Sequence, residues 1–381
     1  MAAETPFKVS IPEAKLEILK KKLDLIQLPN EIEGAGWEYG APLSDIQRLT
    51  KYWKDEYLAK WRDHEAKLNE DMPQFTKDIN VEGFSALKIH YVHQKSAVKG
   101  AIPLLFVHGW PGSFIEVRKV LPLLVQGSAD HPSFHVVAPS LPNFGFSEGP
   151  KTKGFELTQY AEVCHKLMIS LGYDEYVTQG GDWGMLTTRK ITQLYGGKHC
   201  KAYHTNTPTG NPPHPIRRPL LLLQHLLFNY SPKEQAGLDR TQKFWKEQTG
   251  FFAQQTTMPQ TLGYGLADSP VGLLAWIYEK LVGWSDDYKW TDEEVLTWIS
   301  IHWFAEAGPA ASIRIYYEVI KATPDIFTTP VAISVPEGIS AFPKDNVVLP
   351  RRQPEALVSD LRKMFGKGSP AFGLIVSKTG F

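Results

Sequence analysis

Gly180-Gly181-Asp182-Trp183-Gly184 sets a carboxylate between two glycines at the spacing G-x-D-x-G. That is the spacing of a sharp strand-to-helix turn that commonly presents a serine nucleophile. Aspartate changes the chemistry. With an ordinary pKa of about 3.9 its carboxyl group is ionised at neutral pH, so it needs no base to attack and would form an ester with an electrophilic carbon. The flanking glycines suit a turn with strained dihedrals and a helix packed close beneath it. The same residues also suit a plain helix N-cap, for which aspartate is favoured, so the pentapeptide alone leaves both readings open.

A second stretch, LLFVHGWPGS (104–113), runs an apolar segment into His-Gly-Trp-Pro. A backbone N–H at such a strand end can stabilise an oxyanion together with the N–H of the residue after the nucleophile. The expected donors are the amides of Trp110 and Trp183. The histidines stand at 64, 90, 93, 108, 131, 135, 165, 199, 204, 214, 225 and 302. None has metal-ligand spacing, and His108 and His302 (in ISIHWFAEAG) read as packing residues.

These residues need a frame. Residues 12–28 and 43–70 show helical periodicity, the second with Trp53, Tyr57 and Trp61 on its apolar stripe and Ser44–Gln47 spaced as a capping box. INVEGFSALKIHYVHQ (79–94) alternates like a pair of edge strands, and AIPLLFVHG reads as a buried parallel strand. A helix from Ser113, strand 134–140, helix 157–172, strand YVTQG, a helix from Met185 and strand 202–208 then alternate, which predicts a mainly parallel α/β sheet. Residues 211–325 break the rhythm with helices alone, as a lid would. A weak strand signal returns at PVAISVPEG (330–338). The expected division is 1–95 as an N-terminal extension, 96–210 and 326–381 as two parts of a core, and 211–325 as a helical lid.

Lys+Arg and Asp+Glu both number 41 among 381 residues, so no net charge draws the chain to nucleic acid or an anionic membrane. The balance points to a small uncharged substrate. Cys164 and Cys200 are too few for a disulfide framework. No signal peptide or membrane span is visible at the N-terminus, and the expected compartment is the cytoplasm.

In order, HGWPGS, VVAPSLPNFGFSEGP (136–150), QGGDWG (179–184), DSPVGLLAWIYEKLVGW (268–284) and AFPKD (341–345) resemble the epoxide hydrolases of the α/β-hydrolase superfamily, and residues 6–95 are similar to the extension of the microsomal-type branch. The resemblance implies an α/β-hydrolase fold and a two-step hydrolysis of a small apolar epoxide to a diol, without cofactor or metal; a homodimer is compatible with it. It implies Asp182 as nucleophile, Trp110 in the oxyanion hole, Tyr316 (beside Tyr317) as proton donor and Asp345 as the acid partner of a histidine base. Two departures accompany it. The position of a second proton-donating tyrosine is Phe251, and no histidine follows His302, as though a strand and the histidine loop were missing at Arg351–Arg352. Turnover is therefore in question. The alternatives are a non-catalytic protein that binds a hydrophobic ligand, and a haloalkane dehalogenase-like hydrolase.

Overall fold

A computed structural model describes residues 4–207, 215–216, 219–227, 230–285, 288–327, 331–342 and 353–381. Its frame is an eight-stranded sheet formed by β1 (Thr5–Phe7), β2 (Gln74–Ile79), β3 (Leu87–Gln94), β4 (Ile102–Val107), β5 (Phe134–Pro139), β6 (Tyr176–Gly180), β7 (Cys200–Thr205) and β8 (Glu337–Ile339), in the order β1-β2-β3-β5-β4-β6-β7-β8. β1, β2 and β3 are antiparallel, and β3 joins β5 antiparallel. From β5 to β8 all pairings are parallel. IPLLFV of β4 and YVTQG of β6 are buried at every position, as strands covered on both faces must be.

The helix Trp183–Tyr195 follows β6 directly and packs against β6, β7, β4 and the helix Leu157–Ser170. Its buried side, including Met185, Leu186 and Ile191, faces the sheet and fixes how the turn before it is aimed. Between Pro219 and Ala322 the described residues form helices without a strand. Two of these, Gly250–Thr257 and Arg314–Ala322, pack against each other above the carboxyl ends of the parallel strands.

The N-terminal helices brace this layer. Glu13–Asp24 and Leu43–Tyr52 both contact Pro270–Gly283, Lys22 Nζ pairs with Asp268 at 2.6 Å, and the Tyr57 hydroxyl donates to Thr297 Oγ1 at 3.0 Å. Trp53, Tyr57 and Trp61 are buried as their periodicity requires.

Several sequence expectations change. The long helix expected over 43–70 is Leu43–Tyr52, a π turn at Trp53–Tyr57, a 3₁₀ turn at Leu58–Lys60 and a helix Trp61–Asp71. Ser44 does not cap it, because the helix starts at Leu43 and the Leu43 N–H is taken by Glu31 Oε1 at 2.8 Å. The helix expected from Ser113 is a 3₁₀ turn, Phe114–Val117, followed by the short helix Leu121–Val125. β2 begins at Gln74, ahead of the expected hairpin start. The strand signal at 330–338 shrinks to the three residues of β8, which the helix Pro354–Phe365 covers so closely that a Cβ on Gly338 would stand 2.4 Å from Met364 Sδ.

Candidate active site

β4 and β6 are parallel neighbours, with Val107 in register with Gly180, so the loops leaving their carboxyl ends emerge side by side. One carries Trp110 and the other Asp182. Asp182 adopts φ 51° and ψ −126°, a backbone conformation that costs a non-glycine residue about 1–3 kcal/mol. Glycine is required around it. A Cβ on Gly184 would lie 2.0 Å from the Val107 carbonyl oxygen, one on Gly180 2.4 Å from the Gly184 oxygen, and one on Gly109 2.4 Å from Asp182 Oδ1.

Asp182 occupies the N-cap position of Trp183–Tyr195, but its side chain caps nothing. Instead Oδ1 accepts the Trp110 backbone N–H at 2.8 Å, while the Asp182 N–H donates to Thr207 Oγ1 at 2.9 Å. The carboxylate is therefore turned out of the helix and into the crevice. It keeps partial access to solvent, yet protein encloses it closely enough for desolvation to push its pKa up to about 6, against the pull of the Trp110 and Trp183 N–H groups. The Trp110 amide holds Oδ1 and the Trp183 amide also bonds the carboxylate, so two backbone donors converge on this group.

Aromatic rings roof the crevice. The Tyr316 ring stands edge-on to Trp183 with centroids 4.8 Å apart and to Trp110 at 5.6 Å. The Phe251 ring stacks on Trp110 at 5.7 Å and lies 6.0 Å from Tyr316. Tyr316 is buried, and its phenol pKa is raised well above the ordinary value by desolvation and by the negative charge of Asp182, with Trp183 and Gln255 beside its hydroxyl acting the other way. Gln255 is fixed by the Trp276 indole N–H at 3.0 Å. Phe251 also lines an outer cleft of about 1320 Å³ with Trp37, Tyr39, Trp276 and Lys280. The Lys280 ammonium rests 5.1 Å from the Phe251 centroid and 5.4 Å from that of Trp276, and desolvation lowers its pKa to about 8.

Asp182, Trp110, Trp183, Tyr316 and Phe251 thus come together, whereas Asp345 lies outside the described residues. No histidine is among the partners of Asp182 in the described residues. His302 directs Nε2 at the Pro111 carbonyl, 2.8 Å away, where the Trp298 indole N–H also donates at 2.5 Å. His108 receives the Leu141 N–H on Nε2 at 3.1 Å and gives Nδ1–H to the Gly109 oxygen at 2.9 Å. Both rings brace the loop that presents Trp110. Sequence reasoning missed Thr207, Gln255 and Lys280. Nothing in their spacing marks them; only the fold brings Thr207 under the turn after β6.

A model of the epoxide hydrolase N terminus matches residues 4–117, and one of the alpha/beta hydrolase fold matches residues 102–236. Epoxide hydrolase 1 of Sus scrofa is 30% identical over 417 residues, covering 95% of this chain and 88% of its own. The crystal structure of juvenile hormone epoxide hydrolase from the silkworm Bombyx mori superposes with a TM-score of 0.81 at 27% identity over 95% of this chain and 93% of that one. The structure of Aspergillus niger epoxide hydrolase gives a TM-score of 0.76 at 33% identity over 93% and 88%. With these likenesses set beside its sheet and the turn that presents Asp182, the chain belongs to the epoxide hydrolase family and has the α/β-hydrolase fold.

Proposed function

We propose that the chain opens a small apolar epoxide through an ester on Asp182 and releases the diol slowly. The observation that carries this reading is the Asp182 carboxylate on a strained turn, with Oδ1 held by the Trp110 N–H and Tyr316 across the crevice. In the first step a carboxylate oxygen attacks a ring carbon, the C–O bond breaks, and the departing alkoxide takes the Tyr316 proton. Timing favours the transfer. Ester formation consumes the negative charge that helps keep the Tyr316 pKa high, so the phenol becomes a stronger acid as its proton is needed.

In the second step water attacks the ester carbon, the oxyanion forms where the Trp110 and Trp183 amides point, and as the ester C–O bond breaks one water proton passes to the departing diol oxygen and the other restores the Tyr316 phenol, leaving Asp182 ionised again. A general base speeds such a step by about 10²–10⁴-fold, and among the described residues no histidine reaches Asp182. The Sus scrofa alignment runs over more residues than the 381 of this chain, which supports an internal shortening. Asp345 is the acid proposed to orient a histidine that this sequence does not supply.

Mass spectrometry after incubation with styrene oxide tests both halves. A lasting adduct on Asp182 with little diol is expected. Absence of both adduct and diol removes the nucleophile assignment, and sustained diol release removes the slow second step.

A further inference from the structure

An epoxide oxygen gathers negative charge as its ring opens, and hydrogen-bond donors aimed at it speed the step. Tyr316 is one donor, and the position that the resemblance gives to a second tyrosine holds Phe251. The helix Gly250–Thr257 has two buried residues, Phe251 and Gln255. They stand four apart, so both side chains lie on one face, a single turn from each other. Tyr316 meets both of them: its ring is 6.0 Å from that of Phe251, and its hydroxyl lies beside Gln255.

Gln255 has no exposed surface. Its Oε1 accepts the Trp276 indole N–H at 3.0 Å, and because an indole N–H only donates, this bond settles which end of the amide is which. Nε2 is turned away from Trp276. It is buried without a hydrogen-bond partner among the described residues, although the Tyr316 hydroxyl is beside the amide. A buried donor left unpaired is costly, and a role confined to holding Trp276 would need only Oε1. An acceptor bound by the Tyr316 hydroxyl would lie within about 3 Å of it, where an unpaired Gln255 N–H can meet it.

We propose that Gln255 is the second donor to the epoxide oxygen, its Nε2 supplying from one turn along the helix the hydrogen bond that Phe251 cannot. The inference rests on the ester chemistry proposed above and adds a catalytic residue to it. As a carboxylate oxygen of Asp182 bonds to carbon and the ring C–O bond breaks, the electron pair stays on the departing oxygen and the proton comes from Tyr316. Gln255 gives up no proton; its N–H stabilises the developing charge, as side-chain amides do for other oxyanions.

The test is the rate of adduct formation on Asp182 with styrene oxide, followed by quenched-reaction mass spectrometry in the full chain. Gln255→Met, which keeps the length of the side chain and removes the N–H, should slow the adduct by about 10²-fold with an unchanged circular dichroism spectrum. Gln255→Leu takes its place should that variant fail to fold. Gln255→Met/Tyr316→Phe should be at least about tenfold slower than Tyr316→Phe, because a direct donor does not act through the phenol. Phe251→Tyr should accelerate Gln255→Met more than it accelerates wild type, since both donors serve one oxygen. A double variant no slower than Tyr316→Phe overturns the inference, because Gln255 would then only orient Tyr316. Wild type and Gln255→Met forming the adduct equally fast removes Gln255 alone, whereas wild type that forms no adduct removes the nucleophile and this inference together.

Discussion

Asp182 carries a strained backbone and a charge that the surrounding protein does not solvate well. Its ordinary pKa of 3.8 rises to about 6 in the folded chain. Between those values the native state binds the proton more tightly than the unfolded chain, so stability falls as pH rises through the window. Above it the ionised form costs about 3 kcal/mol. Asp182→Asn keeps an oxygen for the Trp110 N–H and removes the charge. Urea unfolding should find it more stable than wild type by up to about 3 kcal/mol at pH 8 and scarcely different at pH 4; equal stability at pH 8 would count against a desolvated carboxylate. Phe251 is the complementary case. Its ring keeps the packing against Trp110 but offers no proton. Phe251→Tyr should speed adduct formation on Asp182, at most by about 10²–10³-fold, the usual value of one well-placed donor. Phe251→Leu should give no gain, and the comparison is made by quenched-reaction mass spectrometry.

At the scale of elements, the turn after β6 works because the helix Trp183–Tyr195 comes close to β4 at a residue without a side chain. Gly184→Ala would press a methyl group onto the Val107 carbonyl, a backbone atom that cannot step aside. The expected loss is about 1–3 kcal/mol in urea unfolding, with slower adduct formation because Asp182 is re-aimed. This turn was legible in the sequence, since glycines at fixed offsets from a single carboxylate report a local backbone constraint. So were β4 to β7, whose buried apolar runs are set by residue type. The short helices after β4 and the three-residue β8 were not. The stretch after Ser113 is apolar enough for a longer helix, but Ser113 caps a 3₁₀ turn there. The stretch before Glu337 looked like strand, yet pairing with β7 spans only Glu337–Ile339. Gln255 and Lys280 escaped notice for another reason: each matters through contacts between helices far apart in the chain, which periodicity does not encode.

For the molecule as a whole, the same interior that lifts Asp182 strips charge from histidines. His90 is held to a pKa of about 3, and His108, His204 and His302 to about 4, each mainly by desolvation and each from an ordinary value of 6.5. All four are neutral in the native state at neutral pH. Below pH 6.5 the unfolded chain binds protons that the native state refuses, so their contribution is complete above 6.5 and drains away as pH falls toward 4. Each group adds a slope of up to about 1.4 kcal/mol per pH unit. Asp182 pulls the other way between 6 and 3.8, but one group does not offset four. A domain stable by about 5–15 kcal/mol should therefore unfold in acid before its carboxylates are fully protonated. His90 ties β3 to Ser140 and Gln74, while His108 and His302 brace the Trp110 loop, so this acid sensitivity is lodged beneath the crevice that holds Asp182. Thermal unfolding followed from pH 8 to pH 4 should show a falling midpoint that begins near 6.5. His302→Gln, which retains an N–H for the Pro111 carbonyl and cannot titrate, should flatten that fall by up to about 1.4 kcal/mol per pH unit. An unchanged slope in this variant would mean that His302 is not desolvated in the native state.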